Sequence, residues 1–126
     1  MFPTHPSQRT AANIAWWALV LAIVLASLLP RPANTLGEIQ DAYDDVLHAG
    51  CYALLAGSRA IFEPKRRIPA VFAFCFLLGL AIEFVQPMTG RAFDVADILA
   101  NTAGLTIGVI AGLAFHSCLT QPATNR

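Results

Sequence analysis

IPAVFAFCFLLGLAIEFVQPMTGRAFDVADILAN, residues 68–101, holds the pattern that decides the fold. An apolar run from Ile68 to Val85 is broken only by Glu83, the chain turns through Pro87-Met88-Thr89-Gly90-Arg91, and a second apolar run starts at Val95. A helix needs roughly 17 to 25 residues to cross ~30 Å of hydrocarbon, and both runs reach that length. Proline stops the first helix and glycine permits a left-handed backbone, so the stretch predicts a tight helical hairpin. Neither run alternates apolar with polar residues, which excludes a β-barrel.

Working outward, two more apolar runs precede this hairpin, Ala11 to Leu29 closed by Pro30, and Val46 to Phe62, while the fourth extends from Val95 to about Cys118. With 56% hydrophobic and 13% charged residues in 126, and a mean hydropathy of +0.59, the composition lies outside the soluble globular range. The expected architecture is all-α: a four-helix transmembrane bundle in one domain over residues 11–119. A loose N-terminal tail, 1–10, and a short C-terminal tail, 120–126, flank it. The first run lacks a clean small-x-small pattern at Leu28-Leu29-Pro30-Arg31-Pro32-Ala33, so it reads as a retained helix and not as a cleaved signal peptide.

Basic residues orient the bundle. Arg9, Arg59, Lys65, Arg66, Arg67 and Arg126 lie on one side, against Arg31 and Arg91 on the other, six to two, which puts both termini in the cytoplasm. The implied location is a membrane crossed several times. Lys65-Arg66-Arg67 then reads as an anchor to anionic lipid and not as a nucleic-acid site, in keeping with a net charge of zero.

Almost every other ionisable or amide side chain in or beside the apolar runs gathers at the opposite, outward end. Asp44 and His48 are four residues apart and Asp45 and His48 three apart, so either carboxylate can sit beside the imidazole at the start of helix two, and one of the two acids is expected to cap it. Glu83 and Gln86 close helix three; Asp94, Asp97 and Asn101 open helix four. Each acid in a lipid-spanning helix costs roughly 2.5 to 3.5 kcal/mol on insertion scales, so several at one depth point to a site. His48 reads either as a proton-handling or ligand-binding group or as a salt-bridged helix end. Glu83 reads as functional or as a partner of Arg91 or His48, and Asn101 as a ligand contact or an interhelical hydrogen bond. Arg91 suits an anionic head group, or else balances Asp94 and Asp97. His48, Glu83, Asp94 and Asp97 form a conceivable mixed N/O metal set, but no H-E-x-x-H or similar spacing supports it; no serine elbow or phosphate-cradling loop is present, and neither metal nor cofactor is expected.

Ala100, Gly104, Gly108 and Gly112 place a small residue at every fourth position of helix four, and Ala49, Ala53 and Gly57 repeat this on helix two. Such stripes serve close packing within the chain or a homodimer through the Gly104/Gly108/Gly112 face. Trp16, Trp17 and Tyr52 fit either interface anchors or the bundle core, and the position of the two tryptophans near the inner end of helix one suits anchors. Cys51, Cys75 and Cys118 lie at different depths and read as unpaired small apolar residues.

The ordered set Asp44-x-x-x-His48, Glu83-x-x-Gln86, Gly90-Arg91, Asp94-x-x-Asp97 and Asn101-x-x-Gly104 resembles the VanZ-like family of small membrane proteins over about Leu28 to Gly112. Ser27-Leu28-Leu29-Pro30 is also similar to that family. The family often has a basic residue directly after the first Asp, where this chain has Asp45. The resemblance implies a cell-envelope setting and a link to antibiotic resistance through teicoplanin susceptibility, but supplies no reaction. Two functional classes follow, with the purely structural use of the cluster as interhelical glue as a third. One is a non-enzymatic protein binding an envelope lipid or peptidoglycan-related group; the other is an intramembrane enzyme or carrier acting on a phospholipid or polyprenyl phosphate, with His48 and Glu83 handling a proton.

Overall fold

A computed structural model describes residues 6–29 and 37–120, with side chains described from 43 onward in the second segment. The described residues are helical almost throughout: α1 (Pro6–Leu28), α2 (Gly37–Phe62), α3 (Ile68–Val85) and α4 (Val95–Thr120). A 3₁₀ turn, Lys65–Arg67, leads into α3, and another, Gln86–Thr89, follows it. Among the described residues, three helical stretches are long and apolar enough to cross a membrane: Pro6–Leu28, Lys65–Thr89 and Val95–Thr120. By that measure the expectation of four spans holds for three. The sequence of α2 is less apolar than the others, with Asp44, Asp45, His48 and Arg59 along it.

Two helix starts differ from expectation. Pro6 opens α1 five residues before the apolar run, as suits a proline whose missing N–H is not needed in a first turn. Helix α2 begins at Gly37, nine residues before Val46, so Asp44 and Asp45 lie inside the helix and neither caps it. Polar residues can continue a helix beyond its apolar face, and hydropathy does not mark where they stop. The expected boundaries of α3 are met at both ends. Residues 1–5, 30–36 and 121–126, which include most of the expected N-terminal tail and the expected C-terminal tail, fall outside the described residues.

Each helix buries one stripe. Trp16, Val20 and Ile23 do so on α1, and His48, Tyr52, Leu55, Ala56 and Ala60 on α2. Cys75, Gly79, Ile82, Glu83 and Gln86 follow on α3 and the turn after it, and Asp97, Asn101, Gly104, Leu105, Gly108 and Gly112 on α4. Large apolar side chains on the other faces, among them Ile14, Leu21, Leu25, Leu54, Leu77, Leu99 and Ile107, are exposed, as lipid-facing residues are.

The closest packing joins α2 to α4. A Cβ built on Gly104 would stand 2.1 Å from the carbonyl oxygen of Ala49, and one on Gly108 2.2 Å from that of Ala53. The two small-residue stripes therefore meet each other within the chain, and the face expected to serve a homodimer is covered by α2. Trp16 belongs to the core and not to an interface belt, because its Nε1–H donates to the Leu55 carbonyl at 3.0 Å. Trp17 stays exposed, while Tyr52 is fully packed.

Opposite ends of the bundle differ in charge. At the end of α2 and the start of α3, Arg59 donates to Asn13 at 2.7 Å and pairs with Glu63 at 3.3 Å, Arg67 pairs with Glu63 at 3.1 Å, and the Arg59 guanidinium stacks 4.3 Å from the Trp16 ring centroid. The acids gather at the other end.

Candidate functional site

At that acidic end the turn between α3 and α4 fixes the geometry. Gly90 adopts φ +82°, a left-handed conformation that a Cβ disfavours, and the Arg91 amide donates to the Gln86 carbonyl at 3.2 Å. This folds Arg91 back over the bundle. Its Nη2 donates to Asp44 Oδ2 at 3.1 Å and its Nη1 to the Ser27 carbonyl at 3.1 Å, with the side chain only 8% exposed. Gln86 donates to the same Ser27 carbonyl at 3.3 Å. Arg91 thus ties α1, α2 and the turn together, and its partner is Asp44 instead of Asp94 or Asp97.

Below Arg91 sits His48, between two carboxylates. Its Nε2 is 3.9 Å from Asp44 Oδ2, one helical turn back, and its Nδ1 is 3.8 Å from Asp97 Oδ1 on α4. These are ion-pair distances, too long for hydrogen bonds. Asp45 is not His48's partner; it lines the mouth of the cluster with Asp94. Asp94 is exposed and caps α4, its Oδ1 accepting from the Ala96 amide at 2.8 Å. The Asp94 amide in turn donates to Glu83 Oε2 at 3.3 Å, so Glu83 meets neither Arg91 nor His48 by hydrogen bond.

Glu83, Gln86, Asn101 and Tyr52 bring further polar groups into the interior at this end of the bundle. Glu83 and Gln86 are wholly buried and Asn101 is 4% exposed, yet Glu83 Oε1, Gln86 Oε1, Asn101 Oδ1 and the Tyr52 hydroxyl have no hydrogen-bond partner among the described residues. Tyr52 and Asn101 meet over Gly79, where a Cβ would lie 3.0 Å from the hydroxyl and 3.2 Å from Asn101 Nδ2. Buried polar atoms without partners cost roughly 1 to 3 kcal/mol each, so these four raise the question of what they contact.

Two cavities reach the cluster. A mouth of about 410 Å³ is bordered by Asp44, Asp45, Arg91, Asp94 and Asp97. A groove of about 390 Å³ runs between α1 and α2, walled by Leu19, Ala22, Ile23, Ala26, Leu47 and Cys51 and headed by Ser27, Asp44, His48 and Arg91. Asp44 and Arg91 border both.

Every residue expected at the site lies at this end, although Asp94 serves the helix cap and Arg91 is already paired. Ser27 and Tyr52 were not anticipated as members. Ser27 carried a signal: it sits in the last turn of a helix that ends before Pro30, where carbonyls have no partner within the helix. Tyr52 carried none, since its place depends on how α2 packs against α3 and α4.

Fold and composition together define a small helical membrane protein with a cluster of polar side chains at one end of its helices. The chain belongs to the VanZ/LLP1 family, whose model matches residues 3–116. No curated protein and no solved structure matches it significantly.

Proposed function

We propose that the protein is a multi-pass component of the bacterial cytoplasmic membrane that holds an amphiphilic envelope lipid, with the chain of the lipid in the α1–α2 groove and its polar head at the acidic end. The observation that carries this is the groove itself: apolar along its walls and headed by Asp44, His48 and Arg91. That is the division of chemistry an amphiphile needs. The six-to-two distribution of basic residues supports an orientation with the acidic end outside and both termini in the cytoplasm, with α2 crossing alongside α4.

Family membership supports an envelope substrate, a lipid-linked or peptidoglycan-related group, and teicoplanin susceptibility as the phenotype to measure. A second reading treats the cluster as catalytic, with His48 and Glu83 handling a proton while a phospholipid or polyprenyl phosphate is moved or hydrolysed. The placement of His48 between two buried or half-buried carboxylates favours it. Native mass spectrometry of detergent-released protein tests the main proposal. Wild type should retain a lipid, and His48→Ala and Ala22→Trp, the latter filling the groove, should lose it while remaining folded. A folded wild-type protein that carries no lipid from any membrane extract overturns the proposal, and release of a cleaved head group would favour the catalytic reading.

A further inference from the structure

We infer that Asp44, His48 and Asp97 bind a divalent metal ion at the point where the acidic mouth meets the apolar groove. The inference rests on the reading of this cluster as a ligand site and adds what holds the head group there. One ligand atom from each of the three residues lies within 4.8 Å of the other two. Asp44 and His48 stand one turn apart on α2, and Asp97 comes from the first turn of α4. The set is therefore fixed by the tightest helix contact in the molecule.

His48 is 8% exposed, and its fully buried Nδ1 faces Asp97 Oδ1 without a hydrogen-bond partner. A second observation comes from Glu83, whose Oε1 is buried and unpartnered and whose charge lies within electrostatic reach of Asp97 and His48. Among the described residues neither Asp97 nor Glu83 has an arginine or lysine within ion-pair distance. Carboxylates buried at membrane depth without a cation are costly, and a divalent ion supplies the charge.

One imidazole nitrogen with two carboxylate oxygens suits Mn²⁺, Zn²⁺ or Fe²⁺. Three protein donors leave positions for oxygens of a bound head group. Charge gives the ion a purpose as well, because acids outnumber Arg91 in the cluster and would repel a phosphate unless a cation bridges the two. Arg91, donating to Asp44 Oδ2, orients one ligand from outside the set.

Mn²⁺ is the probe. Titration of purified protein in detergent, followed by electron paramagnetic resonance, should give saturable binding, and pulsed measurements should detect coupling to an imidazole nitrogen. Asp97→Asn and His48→Gln should weaken binding roughly tenfold or more, whereas Glu63→Gln at the basic end should not change it. Absence of saturable binding, bound Mn²⁺ without nitrogen coupling, or unchanged affinity in both variants overturns the inference. Should the variants fail to fold, the nitrogen coupling in wild type decides. Lipid retention measured in parallel separates the two readings: lipid held without Mn²⁺ binding removes the metal site alone, and Mn²⁺ bound without lipid removes the lipid reading alone.

Discussion

Replacing Gly104 with alanine should separate α4 from α2 and disturb the site a turn away. The added Cβ would stand 2.1 Å from the Ala49 carbonyl oxygen and 2.7 Å from its carbon, whereas ordinary contact begins near 3.4 Å. Both obstacles are backbone, so no side chain can rotate aside, and the helices must part by about an ångström at that level. Overpacking costs typically 1 to 3 kcal/mol, and a backbone clash belongs at the upper end, about 3 kcal/mol, or roughly two powers of ten in the folded-to-unfolded ratio. The remaining glycines supply an internal scale. Gly108→Ala, at 2.2 Å from Ala53, should match Gly104→Ala; Gly112→Ala, at 2.6 Å from Gly57, should cost less; Gly57→Ala, at 3.1 Å from Gly108, less again. Gly50 has nothing within 4 Å, so Gly50→Ala should be neutral or stabilise by up to about 1 kcal/mol through helix propensity. Denaturation in mixed micelles, followed by circular dichroism or gel mobility, ranks the five variants. Equal stability of Gly104→Ala, Gly108→Ala and Gly50→Ala would refute the α2–α4 contact as described.

Three further substitutions probe the supports of the site. Arg91→Lys should not replace arginine, because two separate N–H groups reach Asp44 and Ser27; a loss of about 1.5 to 3 kcal/mol in unfolding free energy is expected, and wild-type stability would argue against this tie. Gly90→Ala places a Cβ at φ +82° and should cost roughly 1 kcal/mol without altering lipid retention, read by the same unfolding and mass-spectrometric assays. Trp16→Phe removes the hydrogen bond to Leu55 and weakens the stacking of Arg59, for an expected loss of about 1 to 2 kcal/mol, and should loosen α1 enough to raise alkylation of Cys51 in the groove.

Much of this architecture was readable from residue order. Ile68 to Val85 was bounded correctly because basic residues precede it and Pro87 follows, both local signals. The left-handed turn was readable from Gly90 for the same reason. The starts of α1 and α2 were not, since a helix continues through polar residues where apolar runs end. The site's membership was legible as helical spacing, but its pairing was not. Arg91 and Asp44 are 47 positions apart, and nothing in either neighbourhood chooses Asp44 over Asp94 or Asp97. The meeting of Tyr52 and Asn101 over Gly79 likewise needs three helices in register. Small-residue stripes announced close packing, yet a stripe does not name its partner; the contact of α4 with α2 shows one within the chain.

An electron cryomicroscopy map of the protein in lipid nanodiscs tests the central claim most directly. The account predicts elongated density along the α1–α2 groove beside Leu19, Ile23 and Cys51, ending in a head group at Asp44 and His48. A groove closed by α1 packed flat on α2, with lipid density confined to the outer faces of the bundle, would contradict it.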